Sequence, residues 1–229
     1  MLDSHWNMSP NKAKALMLAK RQLAELVHDA VALEGIHFTL PEVQTLLDGV
    51  TVGGHKLSDQ QVAINQANAW RALFKDIEAG SFELTANYAQ YLHNIAGKEE
   101  ALEWGCFRTG GVLIAGTEYM PPKASELDEL YADMLLNLQK IEDIYDKAIT
   151  AFLTMARTQF FYDVNKRMGR FIMNGILLDA GFPAINLPAK RQQEFNTLML
   201  AFYESGDMQP MNAFMRSCLD TRVIDIMIE

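Results

Sequence analysis

The chain has 229 residues, 49% of them apolar and 21% charged, with a net charge of −9. That is enough apolar material for one large domain, or one domain with a small extension, and it excludes a disordered chain. The acidic balance excludes a general nucleic-acid binder, because neutralising phosphates needs clustered Lys and Arg, so any basic site must be local.

In chain order, Lys12–Glu34 predicts a helix. Leu16, Leu23, Leu26, Val27, Val31 and Leu33 recur near the helical period, and Gly35 stops it. Thr39-Leu40-Pro41-Glu42 is a capping box with an early proline, so a short helix runs to Leu47 and ends at Asp48-Gly49. Val50–Lys56 predicts a loop. Ser58-Asp59-Gln60-Gln61 is a second capping box, starting a helix to Glu78 with Val62, Ala69, Leu73 and Ile77 in the core. Thr85 caps a helix over Ala86–Ala96, ended by Gly97; Lys98–Trp104 fits either a short helix or a loop. Phe107–Pro122 breaks the pattern. Its β-branched residues, paired glycines and double proline predict a small β-hairpin flap. Helices follow from Ser125 to Leu138 and from Ile141 to Thr158. Gln159–Val164 is a loop, and a buried helix runs on to Gly181. Pro188 opens a helix over Ala189–Tyr203; Gln209–Leu219 is the last helix, and 221–229 is a tail. The fold class is therefore all-α with a β-hairpin flap. Residues 1–57 form N-terminal helices, with the helix about 12–35 among them; 58–220 form the core domain.

The stretch Arg157–Asp179 organises the chain. Met168–Leu178 is apolar nearly all round, which marks a helix buried on every side. Yet that helix opens with Asn165, Lys166, Arg167 and Arg170. Buried Arg needs a partner, and a helix N-terminus offers free N–H groups and a positive dipole end. A carboxylate or a phosphate should therefore sit there, with Asp163 beside it as a carboxylate of the kind that holds Mg²⁺ next to phosphate. Cys106 and Cys218, with no signal peptide, point to reduced thiols in the cytoplasm. No apolar run spans a bilayer, so no membrane partner is expected.

Gln159–Arg170 resembles the Fic family of protein-modifying enzymes, whose pattern is His-x-Phe-x-(Asp/Glu)-(Gly/Ala)-Asn-(Gly/Lys)-Arg-x-x-Arg. Phe161, Asp163, Asn165, Lys166, Arg167 and Arg170 fit. Gln159 stands where the family has His, and Val164 replaces a small residue. Ala30–Ile36 resembles the family's inhibitory-helix motif, Ser/Thr-x-x-x-Glu-(Gly/Asn), and the TLPEVQTLLDG that follows resembles its companion segment. Val112–Pro122 resembles the target-docking hairpin, and Leu84-Thr85 with Leu92-His93 the run before it. The resemblance implies transfer of AMP from ATP to a protein hydroxyl. In that reading Asp163 holds Mg²⁺. The backbone of Val164–Lys166 and the Asn165 side chain form an anion hole, and Arg167 and Arg170 hold the β- and γ-phosphates. Glu34 pairs with Arg170 and keeps the enzyme off, since one guanidinium face cannot serve a carboxylate and a phosphate together. Val112, Thr117 and Tyr119 on the flap meet an unidentified target protein, and the sequence leaves room for a homo-oligomer.

Gln159 decides the catalytic question. A primary amide accepts no proton at neutral pH, so general-base catalysis, typically worth roughly 100- to 10,000-fold, is lost there. The residue favours a weak enzyme or a pocket kept without catalysis. Family members with Lys at the position of Lys166 include kinases, so phosphate transfer is an alternative. A non-catalytic interaction module that uses the flap groove is another. His93 reads as a core histidine.

Overall fold

The computed structural model describes residues 6–229, and among these it has eleven α-helices, two 3₁₀ turns and no strand. α1 (Lys12–Arg21) starts at Asn11, whose side chain accepts the Lys14 N–H. The single helix expected over 12–34 is interrupted at Gln22, and α2 (Leu23–Ala32) continues from there. Leu26, Val27, Ala30 and Val31 form the buried face of α2. The chain then turns at Gly35, whose φ of +83° suits a residue without Cβ, and Glu34 lies in this turn. α3 (Leu40–Leu47) carries the complete Thr39/Glu42 capping box with Pro41 in its first turn.

The second capping box does not form. α4 (Leu57–Ala79) is already helical at Ser58, and Gln61 bonds Asn65 one turn on. The Gln60 side chain explains the early start, because it bonds both backbone groups of Val52 and the His55 carbonyl, drawing the loop onto the helix. α5 (Ala86–Ala96) is capped by Thr85 and closed by Gly97, and 98–104 form turns rather than a helix. α6 (Leu127–Gln139) follows a 3₁₀ turn. α7 (Ile144–Thr158) begins three residues later than expected because Asp143 caps it through the Asp146 N–H.

Every residue of α8 (Asn165–Asp179) except Lys166 and Asp179 is buried, as its apolar composition predicts. It packs closely on α7. A Cβ on Gly169 would lie 2.9 Å from the Phe152 ring and 3.1 Å from the Phe152 carbonyl oxygen, so the missing side chain sets the helix spacing. Trp70 of α4 packs edge-on against Phe171 at 5.0 Å. α9 (Gln192–Ser205) and α10 (Gln209–Arg216) complete the core. The expected tail is instead α11 (Thr221–Ile228), capped by Asp220, with Val223, Ile224 and Met227 buried. Cys106 and Cys218 are both free. Among the described residues no helix is long and apolar enough to cross a membrane.

The expected β-hairpin is absent. Residues 107–122 are irregular, with a bend at 109–110 and a turn at 115–116, and form no ladder. Alternation survives in part, with Leu113 exposed between half-buried Val112 and Ile114, so the β-branched residues reflect a half-buried surface rather than a sheet. What shapes the segment is Arg108. Its buried guanidinium donates to the carbonyls of Gly110 (2.7 Å) and Pro122 (2.6 Å), fastening both ends of the flap, and to Gln159 O (2.6 Å).

Candidate active site

Two helix ends face each other across the loop 159–164. Gln159 closes α7 with φ +53° and Val164 opens α8 with φ +65°. Left-handed backbone is uncommon for any residue with a Cβ and strained for a β-branched one. Asn165 holds the loop in this form. Its Oδ1 accepts the Phe161 N–H at 2.9 Å, and its Nδ2 donates to Phe161 O at 2.8 Å and to Gln159 Oε1 at 2.9 Å. Gln159 in turn donates to Ala156 O at 2.6 Å. Its amide is thus engaged at both ends, and no proton acceptor stands at this position.

The expected anion hole is only partly open. The Asp163 carboxylate accepts the Val164 N–H at 2.6 Å, and the Asn165 side chain is committed to the loop. The first-turn N–H groups of Asn165 and Lys166 have no intrahelical partner, as at any helix start. Asp163 is exposed. Among the described residues no three His, Cys, Asp or Glu gather around a metal position. One exposed carboxylate fits Mg²⁺ that arrives on phosphates, since Mg²⁺ keeps waters and takes one or two protein carboxylates there.

The cations of α8 divide between two carboxylates. Glu34 lies 3.1 Å from Lys166 Nζ and 4.0 Å from Arg170 Nη2, so its nearer partner is Lys166 rather than the expected Arg170. Burial raises the Glu34 carboxyl, but Lys166, then Arg170 and Arg167, outweigh it and hold it below its ordinary value. Arg170 is 6% exposed and donates only weakly, to Ala30 O at 3.4 Å. Its Nε and Nη2 are buried with no hydrogen-bond partner, as is Glu34 Oε1. Burial pushes the Arg170 guanidinium down to about 10 despite Glu34. Arg167 turns to Glu100 instead, bonding Oε2 through Nη1 at 2.8 Å and Oε1 through Nη2.

Glu34, Gln159, Asp163, Val164, Asn165, Lys166 and Arg167 line a half-open pocket of about 60 Å³. That holds about two waters at roughly 30 Å³ each, far below the roughly 300 Å³ where sites for larger ligands begin. Clefts of about 760 and 670 Å³ lie elsewhere, but neither gathers the cations of α8, so size does not locate the chemistry.

Three residues outside the expected set support the loop. His93 is fully buried and stacks on Phe161 at 3.9 Å. Its Nδ1 accepts the Gly105 N–H at 3.1 Å, so Nε2 carries the proton and donates to Asp163 O at 3.3 Å. Burial pushes this imidazole down to about 4, and it is neutral. Glu100 and Arg108 complete the set; neither sits in a periodic or motif context that marks it in the sequence. The flap residues are not gathered with the cations. Val112 is half-buried, Thr117 Oγ1 bonds Glu204 of α9, and Tyr119 lies under Arg157, 4.0 Å from its ring centroid.

The chain has relatives, and its fold has counterparts. The Fic/DOC family pattern matches residues 83–177, which covers α5, the flap, α6, α7 and most of α8. Protein adenylyltransferase Fic of Drosophila erecta is 25% identical over 214 residues, 90% of this chain, and the chain spans only 42% of that relative. Fic-1 (residues 134–508) of C. elegans superposes with a TM-score of 0.81 at 19% identity, covering 98% of this chain and 68% of that one. A Fic-domain signalling protein of Bacteroides thetaiotaomicron superposes with a TM-score of 0.77 at 16% identity, covering 96% of this chain and 90% of that one. The matched segment and the helical fold agree, and residues 83–177 belong to a Fic/DOC-family domain.

Proposed function

We propose that this chain binds Mg²⁺–ATP at the N-terminus of α8 and transfers AMP to a hydroxyl side chain of a target protein, slowly, and under restraint by Glu34. One observation carries the reading. Arg170 is buried, yet its Nε and Nη2 have no hydrogen-bond partner, and the Glu34 carboxylate comes no nearer to Nη2 than 4.0 Å. A buried unpaired guanidinium donor is costly, on the order of 1–3 kcal/mol or more, and a γ-phosphate would satisfy both. The target hydroxyl attacks the α-phosphorus, pyrophosphate leaves, and the proton passes to water, because Gln159 cannot take it. Mg²⁺, held in part by Asp163, would offset phosphate charge; Lys166 and Arg170 would orient the phosphates; Asn165 would keep the loop rigid. The target would lie along 107–122, where Leu113 and Met120 are exposed. Residues 1–57 would act as the inhibitory unit on a core of 58–220. The name of the Drosophila relative supports AMP transfer as the family's chemistry.

Gln159 favours a second reading, a pocket that binds ATP without catalysing. Transfer from ATP by the Glu34→Gly protein separates them, with label on the α-phosphate in one reaction and on the γ-phosphate in another. Protein labelled only from α is the expected result. Label only from γ means phosphate transfer, with Lys166 as its natural determinant. Binding without label means a non-catalytic pocket. No tightening of ATP binding by Glu34→Gly means that Glu34 does not restrain the site.

A further inference from the structure

We propose that Glu100 is a positioning residue that withholds Arg167 from the anion site, so that two carboxylates, not one, guard the start of α8. The proposal rests on reading that site as one for phosphate. Glu34 comes from the turn after α2 and faces Lys166 and Arg170. Glu100 comes from the turn after α5 and takes both Nη atoms of Arg167. A two-pronged carboxylate contact uses the guanidinium face that would otherwise meet phosphate. Only Nε is left over, buried and without a partner. The pair is 3% and 19% exposed, so salt screens it little.

Glu100 is not a loose surface carboxylate. Its N–H and that of Ala101 both donate to Gly97 O, at 3.1 and 3.0 Å. Gly97 is held against His93, because its N–H donates to His93 O at 2.8 Å and a Cβ there would lie 2.8 Å from His93 Nε2. The turn that presents Glu100 is therefore tied to the same His93 that holds the Asp163 carbonyl. Removing Glu34 frees Lys166 and Arg170 but leaves Arg167 neutralised, so the Glu34→Gly site is only partly relieved.

The test is calorimetric titration with ATP and, separately, with inorganic tripolyphosphate, which needs the cations but no nucleoside pocket. In the Glu34→Gly protein, adding Glu100→Gln should tighten binding tenfold or more. Adding Glu99→Gln removes the same charge from an exposed neighbour and should change it less than twofold. Arg167→Met on top of Glu100→Gln should cancel the gain. A gain under twofold from Glu100→Gln, or a gain that survives Arg167→Met, overturns the proposal. If Glu100→Gln melts below the assay temperature, Glu100→Met with Arg167→Met replaces the pair by packed apolar groups, a change often neutral for folding. That protein should bind within threefold of Glu34→Gly, and a tenfold loss overturns the proposal. Tripolyphosphate bound in this order with no ATP binding keeps the role of Glu100 and removes the nucleotide reading. Neither probe bound by any variant overturns both.

Discussion

At the scale of single residues, the site is built from side chains in unfavourable states. Val164 holds φ +65° while 2% exposed. Strain of this kind is worth about 1–3 kcal/mol, and burying a Val side chain returns about 1.5–3 kcal/mol. Val164→Gly therefore relieves nearly what it loses. Its melting midpoint should stay within a few degrees of the parent, whereas Val→Gly in an ordinary core helix should lower it far more; a large fall would mean the turn is unstrained. His93 gives a pH signature. Its folded value is about 4 against an ordinary 6.5. The unfolded chain therefore takes up a proton first, and stability present above pH 6.5 is lost as pH falls toward 4. The loss is on the order of 3 kcal/mol at most. Denaturant midpoints measured across that window should fall in the parent, and this part of the fall should vanish in His93→Gln.

Among the elements, the flap depends most on a single contact. With no ladder, its ends are held by Arg108, whose guanidinium serves carbonyls on both ends and on the turn after α7. Arg108→Met takes the donor from three carbonyls on half-buried residues, at about 1 kcal/mol each. It should destabilise by about 3 kcal/mol and open 107–122 to proteolysis; an unchanged digestion pattern would show that the flap is held elsewhere. The helices themselves were legible from caps and periods, because Thr39, Thr85 and Gly97 act locally. Errors arose where a distant or neighbouring side chain decided. Gln60 reached back to Val52 and displaced a capping box, Asp143 moved the start of α7, and Asp220 made a helix of the expected tail. Arg108 stood among β-branched residues and left no periodic sign of its role.

Across the whole molecule, the start of α8 as an anion-seeking place could be read directly, because buried Arg in an apolar helix is a conflict that sequence alone exposes. Which carboxylate meets which cation could not, since Glu34 lies 132 and 136 residues from Lys166 and Arg170, Glu100 lies 67 from Arg167, and only the packed fold brings them in. The way Glu34 is mounted has a consequence for timing. α2 is pinned along its length. Asp29 accepts from the Asn186 side chain and the Ala189 N–H, Gln192 donates to Ala32 O, and Leu26, Val27 and Val31 are buried. Lifting the helix away would expose three large aliphatic side chains, about 5–9 kcal/mol. Such an opening is populated less than about once in a thousand molecules. A swing of the Glu34 side chain beside Gly35 breaks its ion pairs with Lys166 and Arg170 but leaves those three aliphatic side chains buried, and loop motions run in nanoseconds to microseconds. Hydrogen exchange should therefore find the α2 amides equally slow with and without ATP. On the proposed reading, release of the restraint by Glu34 would then run on a loop's clock, fast enough for the site to answer nucleotide concentration without memory of earlier binding.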